Sequence, residues 1–215
     1  LFRSNPKLFN IDAKLEPEIV YHREQFKSFL KSIIEFLQIG IREHAIILGP
    51  RGSGKTALVN YAMDQIKMNP KFKADVFYVN CRHLNNSYRV LKEIVQVKKK
   101  ISFESVYEKF IKKISNPGNR KKFLILDELD FMKDDNIFYD LTRDSRFNNI
   151  YLIMITKTPK FYQNLTADVK SSVNHQFFYF DNYKGAEVYD ILTKRAERGL
   201  VKYDKQILGQ ISNMN

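Results

Sequence analysis

Short apolar runs alternate with amphipathic stretches along most of this chain. Between Arg23 and Ile39 the apolar residues recur with helical spacing, and Gly40 offers a suitable C-terminal stop. The short apolar runs are bounded by turn residues, which is typical of buried strands. Strands are predicted at about residues 44–48, 75–81, 122–128, 149–156 and 176–180.

Helical patterns fill the intervals between these strands. Helices are predicted at about residues 23–39, 57–68, 86–97, 102–115, 134–145, 160–173, 185–199 and 204–211. Residues 116–119 (Asn-Pro-Gly-Asn) predict a turn, and residues 1–22 are expected to be irregular because prolines interrupt them. The alternation predicts an α/β fold: a mostly parallel five-stranded sheet flanked by helices.

Residues 49–56 match the phosphate-binding loop pattern G-x-x-x-x-G-K-[ST] without a mismatch. The loop consists of Gly49, Pro50, Arg51, Gly52, Ser53, Gly54, Lys55 and Thr56. It lies between a predicted strand and a predicted helix, so the free N–H groups of the helix start would face an anion. Lys55 is expected to reach the β- and γ-phosphates of ATP, and the Thr56 hydroxyl is expected to ligate Mg²⁺.

An acidic pair follows the third predicted strand. Asp127 is expected at the carboxyl end of that strand, where α/β folds bind ligands, and a carboxylate there can hold Mg²⁺. Glu128 can orient and polarise an attacking water. Together with the loop, the pair predicts a P-loop NTPase that binds and hydrolyses ATP or GTP, with ATP/ADP and Mg²⁺ as the expected cofactors.

Charge and composition narrow the choice of partners and compartment. The 215 residues carry a net charge of +12, from 36 Lys and Arg against 24 Asp and Glu. Basic clusters at 98–100, 112–113 and 120–122 suit a polyanion, although solvated surface charge explains them equally well. No run approaches the roughly 18 apolar residues of a membrane span, and the single cysteine, Cys81, suits a reducing compartment. We therefore expect an intracellular protein with no membrane partner.

With both motifs placed, the chain resembles the AAA+ ATPases, and within them the origin-recognition and cell-division-control group of replication initiators, most of all its archaeal members. The resemblance covers nearly all of residues 1–212. Segments outside the common NTPase motifs carry it: residues 17–25, 79–91, 102–107, 169–172, 180–183 and 190–197.

The resemblance implies further nucleotide contacts. Ala57, just after the loop, and Val20, in an N-terminal segment that borders the adenine in this family, are expected to bind the nucleotide. Tyr183 corresponds to a tyrosine at the end of strand five and Arg195 to an arginine on the next helix, and both positions contact nucleotide in the family. From the residues alone, a core aromatic and a solvated arginine are the alternatives.

Two positions depart from the family pattern. Lys157 stands where the fourth strand usually ends in a polar sensor residue, most often Asn, and it is expected to reach the γ-phosphate as a catalytic residue with altered geometry. Asp168 stands where an arginine is usual two residues before the Lys170-Ser171-Ser172 run. Both changes favour a weak ATPase over a fast motor.

The resemblance also implies a domain organisation and a function. Residues 1–182 would form the AAA+ nucleotide-binding domain and residues 183–215 the beginning of a helical lid, with the family's winged-helix domain outside these 215 residues. ATP binding and slow hydrolysis would switch a replication initiator that binds double-stranded origin DNA, other initiator subunits or the helicase, in cytoplasm or nucleus. The alternative is a signalling or regulatory P-loop ATPase that acts through protein partners without DNA.

Overall fold

A parallel sheet of five strands forms the centre of the protein. The computed structural model describes residues 24–114, 120–200 and 203–213. The strands are β1 (His44–Leu48), β2 (Ala74–Asn80), β3 (Lys121–Asp127), β4 (Ile150–Thr156) and β5 (His175–Tyr179). Their order in the sheet is β2-β3-β4-β1-β5, and every neighbouring pair is parallel. The predicted α/β fold with five parallel strands is confirmed.

Nine α-helices lie in the described part of the chain. They are α1 (Glu24–Ile39), α2 (Lys55–Met68), α3 (Ser87–Ile94), α4 (Phe103–Ile114), α5 (Asn136–Arg143), α6 (Lys160–Asn164), α7 (Ala167–Ser172), α8 (Gly185–Gly199) and α9 (Lys205–Ser212). Short 3₁₀ turns follow β3 at Leu129–Phe131 and α5 at Ser145–Phe147. Within these residues no helix combines the length and apolarity that a membrane crossing needs.

The helices cover both faces of the sheet, which explains why β1 and β4 are buried along their whole length. On one face α1 and α2 pack on alternate residues of the strands, with the Phe29 ring against Phe178 at 5.5 Å between centroids. On the other face α3 to α7 complete a second core, where the rings of Phe110 and Phe147 meet at 5.7 Å. The three layers fix the carboxyl ends of the strands along one edge.

The predicted bounds differ from the structure mainly at element ends. One prediction was wrong in kind: residues 160–173 form two helices, α6 and α7, instead of one. Leu165 is extended and buried, and the Thr166 N–H donates to Asp135 Oδ2 at 2.9 Å, a distant partner that replaces a helical hydrogen bond. The predicted turn at 116–119 and the irregular segment at 1–22 lie outside the described residues.

The chain after β5 consists of α8 and α9, which pack against each other. Helix α8 begins with the Glu187 carboxylate accepting a hydrogen bond from the Lys184 N–H at 2.7 Å. A carboxylate that accepts from a free N–H at a helix start stabilises that end. The division into a nucleotide-binding domain and a lid near residue 183 stays a prediction.

Candidate functional site

All three glycines of the loop between β1 and α2 have positive φ, and two of them also lie in very close contact with the segment after β5. Gly49 has φ 155°, and a Cβ there would overlap the Phe180 carbonyl oxygen. Gly54 has φ 83°, and a Cβ there would overlap the Tyr183 hydroxyl. These close approaches explain two of the motif glycines. They also show that the segment just after β5 packs directly on the loop.

The Lys55 side chain is folded back along the inside of the loop. Its Nζ donates to the carbonyl oxygens of Gly49 at 2.5 Å and Pro50 at 2.6 Å. Burial lowers the pKa of Lys55, while the nearby Asp127 and Asp130 carboxylates act in the opposite direction. A buried ammonium at the start of a helix is suited to pair with an anion.

Asp127, the last residue of β3, has a carboxylate held by donors from three elements. Its Oδ2 accepts hydrogen bonds from Thr56 Oγ1 and from the Tyr78 hydroxyl, both at 2.8 Å. Its Oδ1 accepts from the Glu128 N–H at 2.7 Å. Burial, followed by the Asp127 charge, raises the pKa of Tyr78, so its phenol stays protonated and donates.

The oxygen atoms of Thr56 and Asp127 form a donor set that fits Mg²⁺. A hydroxyl and a carboxylate held 2.8 Å apart are hard oxygen ligands of the kind that this ion prefers. Both line the same cavity as the loop residues Gly52 and Gly54. The residues predicted as metal ligands therefore lie together, next to the place where a phosphate would bind.

Glu128 has the left-handed backbone conformation, with φ 53° and ψ 45°. This conformation is costly for a residue other than glycine, and such residues cluster at functional sites. Its Oε2 is buried and accepts no hydrogen bond from the described residues, and it faces Arg82 Nη1 at 3.7 Å. The Arg82 guanidinium lies 5.3 Å from the centroid of the Phe131 ring.

The carboxyl end of β4 is fixed by Asp130. Its Oδ1 accepts from Thr156 Oγ1 and its Oδ2 from the Lys157 N–H, both at 2.9 Å. Lys157 Nζ lies 5.0 Å from the centroid of the Phe131 ring, which holds the ammonium beside the site by cation–π attraction. Asp130 thus joins the turn after β3 to the position of the expected sensor.

One cavity of about 440 Å³ lies between the loop and α8. On the α8 side its wall is formed by Val188, Ile191 and Arg195, which share one face of the helix, and Tyr183 lies just before the helix. The apolar side chains of this wall suit a nucleotide base, and the guanidinium beside them suits a phosphate.

The cavity brings together most of the residues predicted from the sequence. Its lining includes Arg51, Gly52, Gly54, Lys55, Thr56, Ala57, Asp127, Glu128, Lys157, Tyr183 and Arg195. Gly49, Pro50 and Ser53 do not line it; they form the inner turn of the loop, where Ser53 Oγ donates to the Pro50 carbonyl at 2.9 Å. Val20 lies outside the described residues.

Asp130, Tyr78 and Arg82 were missed by the sequence reasoning. Asp130 could have been found, because it follows Asp127 and Glu128 within one short acidic run. Tyr78 and Arg82 carry no such signal. Their contacts depend on the register of β2 against β3, which places Asn80 beside Asp127.

The basic clusters differ in how open they are. The prediction that residues 120–122 form a basic surface was wrong for Lys122, which is buried in β3. Arg120 is exposed and pairs with Asp75 at 3.0 Å. In cluster 112–113, Lys113 Nζ donates to the Ile94 carbonyl at 2.7 Å. Residues 98–100 are exposed. They adjoin a groove of about 690 Å³ lined by His83, Leu84, Arg89, Lys92, Glu93, Gln96, Val97 and Lys98.

Asp168 lies exposed in the first turn of α7. A carboxylate in the first turn stabilises a helix through its dipole, whereas an arginine there would not. The position that departs from the family pattern is therefore compatible with the local structure.

Comparison with known proteins places this geometry in a family. Residues 41–165 match the family model described as AAA domain. The chain is 27% identical over 210 residues to ORC1-type DNA replication protein 1 of Methanosarcina acetivorans, covering 91% of this chain and 50% of the relative. It is 31% identical over 206 residues to the protein of the same name from Sulfurisphaera tokodaii, covering 89% and 50%. The chain thus spans about half the length of the curated relatives it matches.

Solved structures agree with this placement. Cdc6p from Pyrobaculum aerophilum superimposes with a TM-score of 0.85 at 20% identity, covering 100% of this chain and 60% of that one, and shows the shared fold. The Aeropyrum pernix ORC1 protein, solved in complex with DNA, superimposes with a TM-score of 0.75 at 27% identity, covering 90% and 54%. The resemblance drawn from the sequence is confirmed. The chain belongs to the AAA family, and within that family it is similar to the archaeal origin-recognition and Cdc6-type proteins.

Proposed function

We propose that this chain is the ATP-binding module of a replication initiator, in which bound ATP and its slow hydrolysis switch the engagement of DNA. The observation that carries the proposal is the convergence of Lys55, Thr56, Asp127, Glu128 and Arg195 on one cavity. These residues come from the loop, the end of β3 and α8, and they supply each kind of group that a nucleoside triphosphate requires.

Each group has a role in binding. The N–H groups at the start of α2 have no partner within the helix and would donate to the phosphates. Lys55 Nζ would exchange the Gly49 and Pro50 carbonyls for the β- and γ-phosphate oxygens. Thr56 and Asp127 would hold Mg²⁺, which supplies charge neutralisation at the phosphates when bound. The apolar wall of α8 would cover the base.

Glu128 and Lys157 would act on the terminal phosphate. Glu128 lines the cavity and carries a carboxylate, so it can orient a water for attack. Lys157 would place its ammonium at the γ-phosphate and stabilise the charge that develops there. A lysine held over Phe131 must first leave the ring, which favours slow turnover.

Tyr183 and Arg195 would couple the nucleotide to the rest of the protein. Both line the cavity, yet they belong to the segment that follows β5. A nucleotide that contacts the loop and α8 together would fix the angle between them, which is how hinge closure around a ligand works. This angle would control DNA binding or the contact with other initiator subunits and the helicase.

Double-stranded DNA is the partner that the basic groove on α3 fits best. Arg89, Lys92 and Lys98 line it, and residues 98–100 extend it with exposed lysines. Lysine and arginine side chains bind the phosphate backbone and release its counterions. The similar Aeropyrum pernix ORC1 protein was solved in complex with DNA, which supports this assignment. The protein would then act at DNA inside the cell.

The salt dependence of DNA binding tests the proposal. Replacing residues 98–100 with glutamine should weaken duplex binding and lower the slope of log K against log salt by about 0.9 for each lost phosphate contact. A matched control replaces three other exposed lysines, Lys67, Lys71 and Lys73, with glutamine. Equal effects of the two triple variants would contradict the DNA interface. If the unmodified protein fails to retain duplex DNA at low salt, the result favours the signalling ATPase that acts through protein partners.

ATP turnover tests the switch separately. Glu128→Gln keeps the size of the side chain and removes its base, so it should abolish hydrolysis and leave ATP affinity within about twofold. Measurable turnover in this variant would contradict the role of Glu128. If the unmodified protein binds ATP but shows no turnover, the switch cannot depend on hydrolysis and would have to work by nucleotide exchange alone.

A further inference from the structure

Tyr78 contacts the nucleotide site from an edge strand of the sheet. It lies on β2, in register with Ile125 of β3, two residues before the Asn80–Asp127 pair. The residue is 43% exposed, so contacts with the protein interior hold its side chain only in part. Its hydroxyl nevertheless reaches Asp127 Oδ2 at 2.8 Å. A phenylalanine at this position would pack against its neighbours equally well, so packing does not explain why a hydroxyl is present.

The explanation lies in how the Asp127 carboxylate is oriented. Thr56 Oγ1 and the Tyr78 hydroxyl donate to Oδ2, and the Glu128 N–H donates to Oδ1. A divalent cation held by Thr56 and Asp127 would take a lone pair from the Thr56 oxygen, whose O–H can still donate to Asp127. Tyr78 and the Glu128 N–H are the two donors that hold the plane of the carboxylate without themselves contacting the metal.

We propose that Tyr78 is a positioning residue for the divalent cation: its hydroxyl holds Asp127 in the orientation that binds the metal which accompanies ATP. The inference rests on the proposed nucleotide function. Removing a group that orients a metal ligand by hydrogen bonding typically lowers metal affinity about 10- to 100-fold. Because Tyr78 does not line the cavity and reaches it only through Asp127, the nucleotide itself gains nothing directly from the hydroxyl.

The experiment measures ATP affinity by calorimetry in Mg²⁺ and in EDTA, for the unmodified chain and for Tyr78→Phe. The variant should lose about tenfold in affinity with Mg²⁺ and bind equally well in EDTA. Tyr179→Phe is the matched control, since Tyr179 is an exposed tyrosine on the other edge strand and lies outside the cavity lining. Its affinities should match those of the unmodified chain under both conditions.

Two outcomes would overturn the inference in different ways. If Tyr78→Phe keeps the full Mg²⁺ dependence, or loses affinity equally in EDTA, the hydroxyl does not act through the metal, and the proposed function is unaffected. If the unmodified chain binds ATP equally in Mg²⁺ and EDTA, the metal site of the proposed function fails, and the role of Tyr78 fails with it. Melting temperatures of the three proteins should agree, which shows that the variants remain folded.

Discussion

Arg82 Nη1 lies 3.7 Å from Glu128 Oε2 and draws the carboxylate of the expected catalytic base towards the chain segment after β2. Arg82 does not line the cavity, whereas Glu128 does. The guanidinium is itself held over the Phe131 ring, so the pair is part of a fixed arrangement. A base that is paired with a cation outside the site is less available to a water inside it.

Removing Arg82 should therefore raise ATP turnover. The pair is partly exposed, so it contributes at most about 1 kcal/mol. This energy corresponds to a gain of up to about fivefold in kcat for Arg82→Ala, with ATP affinity unchanged. Single-turnover assays without DNA measure it, with the exposed Arg89→Ala as control. A fall in kcat for Arg82→Ala would mean that Arg82 assists catalysis.

Lys157 should distinguish ATP from ADP. If its ammonium pairs with the γ-phosphate, Lys157→Ala loses a charge-assisted hydrogen bond that ADP never makes. The expected loss is about tenfold in ATP affinity with ADP affinity unchanged. Competition against a fluorescent nucleotide measures both, and the exposed Lys160→Ala serves as control. Equal losses of ATP and ADP affinity would contradict a contact between Lys157 and the γ-phosphate.

We expect His44 to lower the free energy of unfolding as the pH falls. Its Nδ1 accepts a hydrogen bond from the Leu152 N–H at 3.1 Å, so the imidazole is neutral in the folded protein. Burial, with Arg42 and His175 nearby, lowers the pKa of His44 to about 3. In the unfolded chain this histidine takes up a proton near pH 6.5. The stabilisation of the folded protein by neutral His44 is therefore complete above pH 6.5 and falls as the pH drops towards 3.

The expected slope from this group is at most about 1.4 kcal/mol per pH unit below pH 6.5. Urea unfolding of His44→Gln, which keeps an acceptor but does not titrate, should show a flatter dependence between pH 6.5 and 4 than the unmodified chain. The exposed His83→Gln should leave the dependence unchanged. An unaltered slope in His44→Gln would contradict the account of a buried neutral imidazole.

The parts of the site that the sequence could predict are those with local signals. The loop at 49–56 and the acids at 127–128 lie at the ends of apolar strands, so their spacing places them at one edge of a parallel sheet. Tyr78 and Arg82 could not be predicted, because their contacts depend on how β2 is aligned with β3. The break at Leu165 depends on Asp135, a partner that is remote in sequence.

The exposed basic surface was misjudged for a similar reason. Three consecutive cations suggest an open patch, yet at the start of a strand alternate side chains point into the protein, and Lys122 is buried. Residues 98–100 follow α3 outside regular structure and remain exposed. Charge clusters are therefore informative about partners only after the elements that carry them are known.

The most direct test of the central claim is the affinity of the loop for ATP with Mg²⁺. Calorimetry should give saturable one-site binding for the unmodified chain, and Lys55→Ala should weaken it at least about tenfold by removing a charged hydrogen bond to phosphate. The exposed Lys67→Ala, on the same helix, should bind like the unmodified chain. Equal ATP affinity in the unmodified chain and Lys55→Ala, or no binding in the unmodified chain, would contradict the account.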